Sequence, residues 1–93
     1  MAHWKHELKI KDLFLSLEGD QDENAKKVAP EVSARVAALS KRLTNKDPML
    51  SSDLEEIADS FSVVHEDDEP SEMFNGVLSD LYDLGDRNRI WIG

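Results

Sequence analysis

The sequence predicts an α+β fold in which three helices pack on a two-stranded sheet formed by the N- and C-terminal strands, in the order β-α-α-α-β. Three observations predict it: a period of two at the start of the chain, three apolar stripes at helical spacing in the middle, and a β-branched, aromatic close. With 93 residues, 40% of them hydrophobic, the chain is expected to be one domain over residues 1–93, able to bury a core without disulfide or metal staples.

From Trp4 to Lys11, Trp4, His6, Leu8 and Ile10 alternate with Lys5, Glu7, Lys9 and Lys11, the pattern of a half-buried strand. Asp12 to Glu18 suits either a short helix or an extended continuation, and Gly19 ends it. From about Glu23, Val28, Val32, Val36, Leu39 and Leu43 recur at spacings of three and four, with Asp20, Asp22 and Glu23 where a helix start favours negative charge. Pro30 removes one donor inside this stretch, so the helix bends there or properly begins near it. Thr44 to Pro48 reads as a loop. Ser52 and Glu55 have capping-box spacing ahead of a second stripe, Leu54, Ile57, Ala58, Phe61 and Val64. An acidic connector, His65 to Pro70, leads to a third helix with Ser71 as cap, Phe74, Val77, Leu78, Leu81 and Leu84 or Tyr82 as stripe, and Gly85 as stop. Arg89 to Ile92 then closes the chain as a strand, with Ile90 and Ile92 on one side and Trp91 on the other.

Charge is unevenly placed. Residues 1–46 hold seven acids and nine bases, whereas residues 47–93 hold thirteen acids and two bases, so the second half carries the whole formal charge of −9. No Lys or Arg occurs between Asp47 and Asp86. Such a balance argues against direct binding to nucleic acid or an anionic membrane and favours a basic protein partner. Carboxylates of the second and third helices and their connector are the candidate partner-binding residues: Glu55, Glu56, Asp59, Glu66, Asp67, Asp68, Glu69, Asp80 and Asp83.

Other chemistry finds little footing. Without cysteine there is no disulfide, thiolate zinc site or cysteine nucleophile. Asp20, Asp22, Asn24 and Glu31 match four positions of a calcium-binding loop, yet Ala25 replaces the turn glycine, Lys26 and Lys27 add positive charge, and Pro30 precedes the glutamate. His3 and His6 point to opposite sides of a strand, and His65 beside Glu66 and Asp67 reads as a solvated loop histidine. Four glycines and three histidines compose no phosphate-cradling loop and no nucleophile-and-base set. No metal, cofactor or catalytic residues are expected, so the protein is expected not to be an enzyme. Charged residues among the first eleven and the lack of a long apolar run lead us to expect a cytoplasmic protein.

The opening WKHELKIKDL and the closing FNGVLSDLYDLGDRNRIWIG resemble small uncharacterised proteins encoded by bacteriophages and prophages. The resemblance covers about the first twelve and last twenty residues and holds no functional motif, since Trp4, Leu8, Phe74, Leu81, Tyr82 and Trp91 read as packing positions. It implies a phage-derived cytoplasmic protein and brings no activity with it. The function expected is therefore a non-enzymatic acidic interaction module, including a DNA-mimic-like inhibitor of a basic, nucleic-acid-binding host protein. The alternative is an assembly role, in which Trp4, Trp91 or Tyr82 makes a homodimer and the acids serve solubility.

Overall fold

Three helices of 23, 15 and 19 residues make up most of the chain in the computed structural model, which describes residues 6–10, 13 and 19–91. The first, α1, spans Gln21–Leu43. Gly19 turns the chain into it with φ +102°, a conformation strained for any side chain, and Asp20 Oδ1 caps it by accepting the Asp22 amide at 2.8 Å. All five residues of the predicted stripe are buried, joined by Ala25 and Ala29. Pro30 lies within the uninterrupted helix on its exposed side, where water can replace the missing amide donor, so the helix does not begin near Pro30.

The second helix, α2, spans Pro48–Ser62 and starts four residues before the expected Ser52 cap. Pro48 occupies the first turn with its φ already set, and Asp47 Oδ1 accepts the Leu50 amide at 3.1 Å. A proline and an aspartate thus outcompete the capping-box spacing, and Ser52 is an exposed mid-helix residue. A 3-10 turn, Val64–Glu66, follows and is pinned by the fully buried Val64.

The third helix, α3, spans Pro70–Asn88. Two expectations about its ends are corrected. Pro70 again takes the first turn, so Ser71 lies inside the helix and is not its cap. Gly85 is buried in the helix, on the face that continues Phe74 and Leu81, and packing overrides its tendency to end helices. The stop falls at Arg89, which adopts φ +60° and donates its N–H to the Gly85 carbonyl.

The predicted α+β class is also corrected: the fold is mostly helical. Extended pairing is confined to two residues on each side, β1 (His6–Glu7) beside β2 (Ile90–Trp91) in parallel, extended by one bond from the Leu8 amide to the Trp91 carbonyl at 2.8 Å. So short a ribbon is no layer for helices to pack on. The strand expected from Trp4 to Lys11 stops because Lys9 takes φ +54° and the backbone is helical at Ile10. Leu8 and Ile10 are nonetheless buried and Lys9 exposed, so the alternation reports burial without a continuing strand. Leu13 is helical; the rest of the segment left open, residues 12 and 14–18, lies outside the described residues, as do Trp4 and Ile92.

α1 packs on both other helices, and their apolar stripes merge into one buried cluster. At its centre Phe61 of α2 meets Phe74 of α3 with ring centroids 5.2 Å apart and planes tilted by 57°. Along the α1–α2 contact, small residues let the backbones approach. Ser40 Oγ donates to the Ser51 carbonyl at 2.6 Å, Ser51 Oγ donates to the Ser40 carbonyl at 2.7 Å, and Ser33 Oγ donates to the Ala58 carbonyl at 2.8 Å.

Candidate functional site

All nine candidate carboxylate residues are exposed. That follows from helical geometry: with Leu54, Ala58 and Phe61 facing the core, Glu55, Glu56 and Asp59 must turn outward, and Phe74, Leu81 and Leu84 impose the same on Asp80 and Asp83. The structure then divides the nine into groups with different surroundings.

Glu55 and Asp59 stand one turn apart on α2 and line a groove of about 440 Å³ between α1 and α2. Lys41 of α1 and Thr44, which caps its end, form the other wall, with Ser33, Ala37, Ser40, Ser51 and Ala58 below. Lys41 makes no ion pair with either acid, and neither acid is ion-paired among the described residues. Lys41 is not legible in the sequence as part of this site, because contact between the end of one helix and the middle of the next depends on how they cross.

A second group gathers at the start of α3. Asp67 Oδ2 accepts the Glu69 amide at 3.0 Å, and Asp22, from the first turn of α1, accepts the Ser71 amide at 3.1 Å. Hydrogen bonds from the Ser71 hydroxyl and amide, with a lesser contribution from the Lys26 charge, hold the Asp22 carboxyl below the usual carboxylate range. Glu69 goes the other way: a hydrogen bond with the Glu72 carboxyl, then the charges of Glu72, Asp67 and Asp22, raise it. Asp67 therefore shapes the helix start as well as carrying charge, and Asp22, read from the sequence only as a first-turn acid, caps a helix 49 residues away.

Asp80 and Asp83 lie eleven and fourteen residues beyond Glu69, so about 16 Å and 21 Å along the helix axis. Asp83 is paired with Arg87 at 3.0 Å, both side chains exposed, so a positive charge stands beside it and partly offsets the charge it presents. The side-chain carboxylates of Glu56, Glu66, Asp68 and Asp80, like those of Glu55 and Asp59, make no hydrogen bond or ion pair among the described residues.

The calcium-loop spacing falls on helix, not loop: Asp20 is the α1 cap, Asp22 is bonded to Ser71, and Asn24 and Glu31 lie within α1. No group of three or more metal-ligating side chains is assembled among the described residues. His65 is exposed in the 3-10 turn, and His3 lies outside the described residues. Of the aromatics proposed for self-association, Trp91 is 51% exposed, Tyr82 packs against the core with its hydroxyl pushed up by burial, and Trp4 is not described. Among the described residues no helix is long and apolar enough to cross a membrane.

Compared with known proteins, the chain matches no protein family, no curated protein and no solved structure.

Proposed function

We propose that this chain is a non-enzymatic acidic interaction module, of phage origin, that binds a basic protein in the cytoplasm and inhibits it by occupying the groove that would hold phosphates. One observation carries the reading. From Asp47 to Asp86 the chain has no Lys or Arg, and the carboxylates of that stretch stand on exposed helical faces and their connector. A field of one sign, anchored on rigid helices, steers a basic surface toward it and stays organised when it arrives.

The test is capture from a bacterial lysate at low and high salt, comparing wild type with a Glu56→Gln, Glu66→Gln, Asp68→Asn, Asp80→Asn variant. Those four carboxylates hold no local hydrogen bond or ion pair among the described residues, so circular dichroism should be unchanged. Neutralising Asp67 instead would disturb the start of α3 as well as the charge, because its carboxylate accepts the Glu69 amide. The reading requires one basic protein that wild type retains at low salt, loses at high salt, and that the variant fails to hold; retention indifferent to salt and to the substitutions overturns it.

A second reading, homodimerisation, is favoured by the half-exposed Trp91. It requires a dimer by sedimentation that persists in high salt and is lost in Trp91→Ala.

A further inference from the structure

The geometry points to the α1–α2 groove as the place where an arginine side chain of the basic partner seats, with Glu55 and Asp59 as its receptors; this rests on the reading above and narrows it to one site. The groove, about 440 Å³, is more apolar than its serines suggest. Ser33, Ser40 and Ser51 each donate their hydroxyl hydrogen to a helix carbonyl across the α1–α2 contact. With those donors and that of Thr44 spent, the floor offers methyl and methylene surface from Ala37, Ala58 and the serines, and the exposed rim keeps one hydroxyl, that of Ser52.

Charge on the walls selects the occupant. Glu55 and Asp59 lie on the same edge of α2, neither ion-paired among the described residues. A guanidinium presents a planar fork that can engage both carboxylates, while its three methylenes lie on the alanine floor. A lysine ammonium, a point charge with a larger hydration cost, fits the pair less well. Lys41 on the facing wall is the opposing element, since its charge repels an incoming guanidinium and competes for the same carboxylates. The remaining carboxylates of the connector and α3 then act at longer range, raising the encounter rate without seating a side chain.

The experiment is an NMR titration of the whole 15N-labelled chain with an acetylated, amidated hexa-arginine peptide, alongside hexa-lysine. Shifts are expected to concentrate at Ala37, Lys41, Ser52, Glu55, Ala58 and Asp59. Glu55→Gln/Asp59→Asn should weaken the arginine peptide by about tenfold, the loss of a charge-assisted pair. Lys41→Gln should tighten it, and hexa-lysine should bind more weakly than hexa-arginine. Shifts confined to residues 66–69 or to α3, unmoved by Glu55→Gln/Asp59→Asn, overturn the groove while leaving the acidic module standing. No saturable binding of either peptide at low salt overturns both.

Discussion

Asp22 Oδ1 accepts the backbone amide of Ser71 at 3.1 Å, so an acid in the first turn of α1 caps the start of α3. Glu69, the residue in the N-cap position, makes no side-chain bond to the backbone of the first turn. One carboxylate therefore favours two helix starts by its charge and bonds one of them across 49 residues. Asp22→Ala is expected to lower the Tm by a few degrees and to speed amide exchange in the first turn of α3 more than in α1. Equal protection in both helices of the variant would contradict the assignment.

Stability should depend on pH through two carboxyls that act in opposite senses. Folding lowers Asp22 from its ordinary 3.8, so its contribution is present above that value and disappears as pH falls through the lowered one. Folding raises Glu69 from 4.5, first through its bond with Glu72, so its contribution is present below 4.5 and disappears as pH rises through the raised value. Calorimetry across the acid range should show Tm climbing as pH falls from neutral toward 4.5, then dropping below 3.8. Glu69→Gln should flatten the climb and Asp22→Asn the drop, separating both from the general relief of a −9 charge.

Arg35 holds the N-terminal segment on α1. Its Nη1 donates to the Leu8 carbonyl at 3.0 Å and the Lys9 carbonyl at 2.9 Å, while its Nε meets Glu31 at 3.2 Å. Arg35→Ala should cost about 1.5–3 kcal/mol in urea denaturation, the range for hydrogen bonds from a charged donor. Arg35→Lys cannot reproduce the fork and should recover only part of it. Amide exchange at Leu8 should accelerate in both; an unchanged rate would show that the burial of Leu8 and Ile10 holds the segment without the arginine.

Phe61 is fully buried and stacks at a tilt against Phe74. Phe61→Ala is expected to cost about 3–5 kcal/mol, enough to unfold much of the population of so small a domain. Phe61→Leu keeps most of the volume and should cost far less. Similar losses for the two would mean that the ring contact, not the filled space, carries the energy.

The seams between helices show how far the sequence could be read. Every residue of the first stripe is buried, because a period near 3.6 sustained from Val28 to Leu43 has one physical solution. The starts of α2 and α3 differ from the sequence expectation for one shared reason: Pro48 and Pro70 begin helices ahead of Ser52 and Ser71, whose side chains suit a cap. The ends of the chain misled differently. Leu8 and Ile10 alternate with exposed Lys9 as strand residues would, yet a left-handed Lys9 ends the strand, and no local pattern marks that. Exposure of the acidic residues was legible from the stripes they interrupt. Lys41 facing the groove, Asp22 reaching Ser71 and Arg35 reaching Leu8 were not, since each joins residues that only tertiary packing brings together.

The most direct measurement is the affinity of the captured basic protein across a salt series, for wild type and for the Glu56→Gln, Glu66→Gln, Asp68→Asn, Asp80→Asn variant. The account predicts that wild-type affinity falls steeply as salt rises and that the variant starts weaker and falls along a shallower slope, with both proteins equally folded. Equal slopes, or an affinity that salt does not change, would contradict it and leave the carboxylates as a solvated surface.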